Sequence, residues 1–173
     1  PEKSSGKQWL EVHEAAHLEG IPSNATMLYG HIESYKHRAQ HMDAIRKLQD
    51  RTKGFNCFIP LKFRAQNNSL SYLGEVGTVE DLRNFAVSRI FFDNINHLKA
   101  YWPMLGKQNL KLALSFGVDD IDGTIDDTTK IYSMAGAEDQ KPVMTVEMLT
   151  DIIISAEKIP VERDSLYRIV KRY

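Results

Sequence analysis

The chain has 173 residues, long enough for one domain with a sizeable core, and residues 1–173 read as a single domain. With 22 Lys+Arg against 23 Asp+Glu, it has no general field to attract nucleic acid or an anionic membrane. A single cysteine, Cys57, excludes an intramolecular disulfide framework and a multi-cysteine metal site, which suits a reducing cytoplasm.

In chain order, Trp9, Val12, Ala16 and Leu18 form a helical stripe that Gly20 ends, with Ile21-Pro22 beyond. Asn24 to Gly30 is a mostly apolar run closed by glycine, as expected of a strand covered on both faces. From Tyr35 to Lys53, Met42, Ile45 and Leu48 recur at helical spacing and Gly54 supplies the stop. Phe55 to Phe63 (FNCFIPLKF) reads as the next buried strand, with Pro60 near its end where a missing donor does least harm.

A polar loop, Arg64 to Gly77, leads to Thr78-Val79-Glu80-Asp81, a capping-box pattern that opens a helix through about Phe92. His97 to Trp102 is the third strand, stopped by Pro103 and Gly106, and Asn109 to Phe116 is helical. Val118 to Thr124 is a short acidic strand end or loop. Thr145 caps a helix to about Lys158, and a last helix is expected from Val161 to Tyr173. The longest apolar runs are far too short to span a bilayer, and the first residues lack the apolar core of a signal peptide.

Strands alternating with helices imply parallel βαβ units. Four such units make an α/β fold amounting to half of a TIM-type (βα)8 barrel, which takes about 250 residues when whole. Functional residues in such barrels sit just after the strands. Those positions hold His31 and Glu33, then Arg64 with Asn67-Asn68, then Trp102 and Met104, then Asp122 and Thr124.

Several motifs carry candidate chemistry. His13-Glu14-Ala15-Ala16-His17 matches the H-E-x-x-H pattern of zinc hydrolases, with Glu33 as the nearest later carboxylate for a third ligand. The competing reading places this helix outside the barrel, where His17 packs or caps at the join into the next strand. His31, Arg38 and His41 could form a cationic rim for carboxylates, against which stands a solvated first helical turn. The Asp119, Asp120, Asp122, Asp126 and Asp127 cluster lacks the spacing of a calcium loop. It suits hydrogen bonding to ribose hydroxyls or a loop cap. Cys57 among aromatics reads as a small buried hydrophobe.

The words SNATMLYGHIESYKHR, IRKLQD, GFNCFIPLKF, EDLRNFAVSRIFFDNINHLKAYWPM, ALSFGVDDIDGTIDDTTKIYSMAGA and PVERDSLY resemble aminofutalosine synthase, a radical S-adenosylmethionine (SAM) enzyme of the futalosine route to menaquinone. The resemblance runs from about Trp9 to Tyr173 and corresponds to the C-terminal half of that family's protein. The related dehypoxanthine futalosine cyclase shares several of these words, whereas LKAYWPM and TIDDTTKIYSMAGAE favour the synthase.

The resemblance implies a reaction in which a 5′-deoxyadenosyl radical, made by reductive cleavage of SAM at a 4Fe-4S cluster, adds to 3-(1-carboxyvinyloxy)benzoate to give aminofutalosine. It implies an electron donor such as flavodoxin and a small-molecule substrate. Thr26 to Glu33 resembles the superfamily's fifth-strand pattern G-x-I-x-G-x-x-E, with Thr for the first Gly and Leu for Ile. On that basis Leu28, Gly30, Glu33, Ile59 and Pro60 are expected to bind the adenosyl cofactor, and His31, Arg38, Arg64 and Asp122 the substrate.

The C-x3-C-x2-C cluster motif does not occur in this chain, and the family carries it in its N-terminal half. The expectation is a C-terminal half that cannot assemble the cluster alone, that self-associates through its unpaired strand edges, or that is held by its N-terminal half.

Overall fold

The computed structural model describes residues 3–126 and 143–173. Four parallel strands form one sheet in the order β1 (Ser23–Tyr29), β2 (Phe55–Lys62), β3 (His97–Ala100) and β4 (Asp120–Ile121). Between them run α1 (Gly6–Leu18), which precedes β1, then α2 (Tyr35–Thr52) and α3 (Thr78–Phe91). The short α4 (Trp102–Leu105) and α5 (Leu110–Ser115) follow β3. The α/β reading with parallel units is therefore correct for this sheet.

Strand alternation sets which face meets the helices. Ala25, Met27 and Tyr29 of β1, Phe58 of β2 and Leu98 and Ala100 of β3 are buried, most of them in one core with Met42, Ile45 and Leu48 of α2 and Phe85 of α3. The residues between them point to the opposite face, where Leu28 is 49 % exposed. Burying a side chain such as Ile45 stabilises the fold by roughly 1.5–3 kcal/mol. The helical stripe, not intrinsic propensity, is thus what docks α2.

Helix ends follow local chemistry. Ser5 and Ser34 each form a full capping box, with Gln8 and His37 at the reciprocal positions. The expected cap at Thr78 does not form: Thr78 is the first helical residue, Gly77 is the cap, and the Thr78 hydroxyl bonds the Asn109 side chain instead. The third strand stops at Ala100 rather than Trp102, because Trp102-Pro103 opens α4, proline being suited to a first helical turn.

Ile125–Asp126 (β5) pairs antiparallel with Val143–Met144 (β6), and Thr145 caps α6 (Val146–Ser155) as the sequence predicts. Asp127, and with it most of the word TIDDTTKIYSMAGAE, lies outside the described residues.

The largest departure is at the C-terminus. Val161–Arg163 (β7) and Ile169–Arg172 (β8) form an antiparallel hairpin where a helix was expected. The Asp164 side chain makes the turn by accepting from the Leu166 and Arg168 amides, with Tyr167 left-handed at φ 63°. Tertiary contacts then hold it: Arg163 and Tyr167 both bind Asp120 of β4, and the Tyr167 ring stacks on His97 of β3 at 3.9 Å. The hairpin thereby covers the N-terminal ends of β3 and β4 on the sheet's second face.

Candidate functional site at the strand ends

The segment after β1 is built around one carboxylate. Gly30 has φ 88°, and a Cβ there would lie 2.9 Å from Val76 of the loop that follows β2, so glycine is required twice over. Glu33 folds back to accept the Gly30 amide at 2.7 Å and the His31 amide at 2.9 Å. Arg38, at the start of α2, reaches the same carboxylate at 2.6 Å and Glu80 of α3 at 2.6 Å. Its guanidinium lies over the Tyr29 and Tyr35 rings.

Burial opposes the charge on Glu33, but the two amides and Arg38 outweigh it and hold the carboxyl below its ordinary range. Glu80 is lowered in the same way, burial being overcome by Arg38 and the Tyr35 hydroxyl. Arg38 is thus clamped between two carboxylates.

His31 sets its ring edge-on to Phe63 at 5.9 Å, and its Nδ1 lies 2.6 Å from the Ile32 amide nitrogen and 3.1 Å from Glu33 Oε2. His41, the third member of the expected rim, turns to the sheet, where Nε2 bonds the Thr26 carbonyl oxygen. Arg64, beyond β2, is paired with Glu75 at 3.2 Å. Asp122, beyond β4, faces Lys99 at 3.3 Å. The structure therefore joins Gly30, His31, Glu33 and Arg38 into one bonded unit and sets Arg64 and Asp122 at other strand ends.

The residues expected at the adenosyl cofactor divide by alternation. Leu28 and Ile59 share the open face, whereas Pro60 is buried with Phe58 toward the helices.

The HEAAH motif is a hydrogen-bond relay. Thr52 Oγ1 donates to the Leu48 carbonyl, so it accepts from His17 Nδ1 at 2.8 Å. His17 Nε2 must then accept the Ser23 hydroxyl proton at 2.7 Å, and Ser23 Oγ accepts from His13 Nδ1 at 2.8 Å. Burial lowers both histidine pKa values, helped at His13 by the neighbouring His17, so the neutral pair is the folded form. Glu14 meets Arg51 on the surface. No three His, Cys, Asp or Glu side chains among the described residues converge as a metal site would need. The reading in which His17 packs at the join into β1 is the one observed.

Two buried networks escaped the sequence reading. On the helix side, Lys62 bonds Asp81 at 2.8 Å and Tyr29 donates to the same carboxylate at 2.9 Å. On the open side, Asp120 accepts from Arg163 at 2.8 Å and from Tyr167 at 2.6 Å, with Lys99 at 3.6 Å. The signal was available: a lysine inside an otherwise apolar strand, as in FIPLKF and HLKAY, is costly unless paired.

A parallel sheet with helices on one face and polar side chains gathered beyond its C-terminal edge defines an α/β domain of the kind that binds ligands at that edge. More particularly, the chain belongs to the family described as CofH/MqnC C-terminal region, matched over residues 52–172. It is 47% identical to an aminodeoxyfutalosine synthase of Thermus thermophilus, over 98% of this chain and 46% of the relative. It is 40% identical to a 5-amino-6-(D-ribitylamino)uracil–L-tyrosine 4-hydroxyphenyl transferase of Methanocaldococcus jannaschii, over 99% and 48%. A cyclic dehypoxanthine futalosine synthase of Streptomyces coelicolor is 37% identical, over 96% and 41%. The chain spans about half the length of the curated relatives it matches.

Proposed function

We propose that this chain is the C-terminal part of a radical SAM aminofutalosine synthase acting in menaquinone biosynthesis in the cytoplasm. The observation that carries this is the 47% identity to the Thermus aminodeoxyfutalosine synthase across nearly the whole chain, which exceeds that to the cyclic dehypoxanthine relative at 37%. The LKAYWPM and TIDDTTKIYSMAGAE words point the same way. No helix among the described residues is long and apolar enough to cross a membrane.

In this reading the four-stranded sheet is joined by the N-terminal half of the protein to complete a (βα)8 barrel, so that the open face of β1–β4 becomes part of the lumen. The exposed Leu28 on that face is an apolar surface such an arrangement would cover. Leu28 and Ile59 then flank the adenosyl group, while Glu33 and Arg38 hold the Gly30 backbone in place for close approach.

The residues of this chain do not fit the 4Fe-4S cluster. Its single thiol, Cys57, is fully buried against Asn24 Oδ1 at 3.3 Å, and burial pushes it further from the thiolate that ligation needs. The cluster is assigned to the N-terminal half. SAM, when bound and cleaved there with an electron from a donor such as flavodoxin, supplies the adenosyl group. The residues of this chain bind and orient it beside 3-(1-carboxyvinyloxy)benzoate and exclude water.

The test is anaerobic turnover of the full-length, reduced protein with SAM and each candidate substrate. Aminofutalosine from 3-(1-carboxyvinyloxy)benzoate is the expected product. A protein that instead consumes dehypoxanthine futalosine is the cyclase.

A further inference from the structure

Lys99 stands on β3 between Leu98 and Ala100, both of which lie in the core beneath the helices, so strand alternation turns Lys99 onto the open face. It is the one ammonium or guanidinium that β1–β4 carry there, because Lys62 turns the other way, to Asp81 of α3. The Lys99 side chain is 10% exposed, a depth at which an ammonium requires partners.

Its described partners are loose. Asp122 Oδ1 lies at 3.3 Å and Asp120 Oδ2 at 3.6 Å, against about 2.8 Å for a well-formed charge-assisted hydrogen bond. Asp120 is meanwhile satisfied by others: Arg163 at 2.8 and 3.0 Å and the Tyr167 hydroxyl at 2.6 Å. The C-terminal hairpin therefore neutralises Asp120 in place of Lys99. What remains is a buried lysine amino group near two carboxylates, with no short acceptor among the described residues.

We propose that Lys99 binds an anion: its ammonium receives a carboxylate of the acceptor substrate, with Asp122 holding it from the rim and Asp120, Arg163 and Tyr167 acting as positioning residues. The proposal rests on the functional reading above, in which the acceptor is a dicarboxylate whose charges must be matched inside a closed lumen. It differs from the expectation drawn from the sequence, which gave that task to Arg38 and Arg64. Arg38 already spends its guanidinium on Glu33 and Glu80, and Arg64 is paired with Glu75.

Calorimetric titration of full-length protein with 3-(1-carboxyvinyloxy)benzoate, and separately with SAM, tests this without turnover. K99M is expected to weaken acceptor binding about 10- to 100-fold, the scale of one charge-assisted hydrogen bond, while SAM binding changes less than about twofold. K99R, which keeps the charge, is expected to recover most of the loss. Should K99M fail to fold, as judged by its thermal transition, K99Q carries the same expectation. Acceptor binding as tight in the folded variant as in wild type overturns the proposal, as does an equal loss of SAM binding. Wild-type protein that does not bind the acceptor at all refutes instead the functional reading, and with it this substrate.

Discussion

Lys62 and Lys99 sit on adjacent strands at nearly the same depth, 7% and 8% exposed, yet they are held differently. Lys62 lies on the helix side, bonded at 2.8 Å to a carboxylate with no exposure of its own, which Tyr29 also binds. Lys99 lies on the open side, 3.3 Å and 3.6 Å from carboxylates, one of which is satisfied by other groups. Depth alone therefore does not separate a structural charge from a functional one. The tightness of the bonds does: a closed network fixes two elements to each other, whereas a loose one leaves donors for a ligand.

The largest effect should come from opening the closed network. Asp81→Asn leaves the Lys62 ammonium buried without a counter-charge and is expected to destabilise the protein by about 3–5 kcal/mol, read as a shift in the urea midpoint. Gly54→Ala comes next. A Cβ there would fall 2.1 Å from the His17 ring, forcing α1 off the sheet at a cost of about 2–3 kcal/mol by the same measurement.

Lys99→Met should cost only about 1 kcal/mol, because Arg163 and Tyr167 still neutralise Asp120. A loss as large as that of Asp81→Asn would erase the distinction between the two lysines. Smallest of all is Arg51→Ala, which removes a surface pair with Glu14 and should change stability by roughly 0–1 kcal/mol.

The histidine relay adds a pH arm, because it too is closed. His13 and His17 have folded pKa values below the ordinary 6.5, so their neutral forms stabilise the fold. That contribution is present in full above about pH 6.5 and is lost as pH falls through the lower folded values. Glu14, which raises the His17 value, and Arg51 beside it are the charged groups that moderate the effect. Urea midpoints compared at pH 7.5 and 5.5 should fall more steeply in wild type than in His17→Gln; equal slopes would show that the pair does not titrate with folding.

Much of the strand-end site could be located from the sequence, because its positions follow from where strands stop. MLYG ends a strand, and His31, Glu33 and Arg38, among the polar residues that follow it, fall beside its C-terminal edge. What those residues do there could not be read. Glu33 and Arg38 have the same composition as a ligand-binding pair, but the structure turns both inward, on backbone amides and on Glu80. HEAAH teaches the same lesson: two histidines on one helix face need a third group in space, and what comes to them is the Ser23 hydroxyl.

The sequence by itself determined the alternation of helices and strands from α1 to β3, the buried stripe of α2 and the glycine at Gly30, because these depend on local periodicity and backbone sterics. It misjudged the stripe of α1, where Val12 and Leu18 are exposed and His17 is the buried residue, and the stop of α2, where Lys53 takes the left-handed turn and Gly54 is needed instead for the close approach of the His17 ring. It also determined the family resemblance, which is written in the same words. Only the tertiary structure decided that the last residues form a hairpin, that Asp120 belongs to Arg163 and Tyr167, and that Lys99 is left loosely held on the open face. Each of those depends on contacts between residues far apart in the chain: a 13-residue segment with mixed spacing adopts whichever structure its distant partners reward.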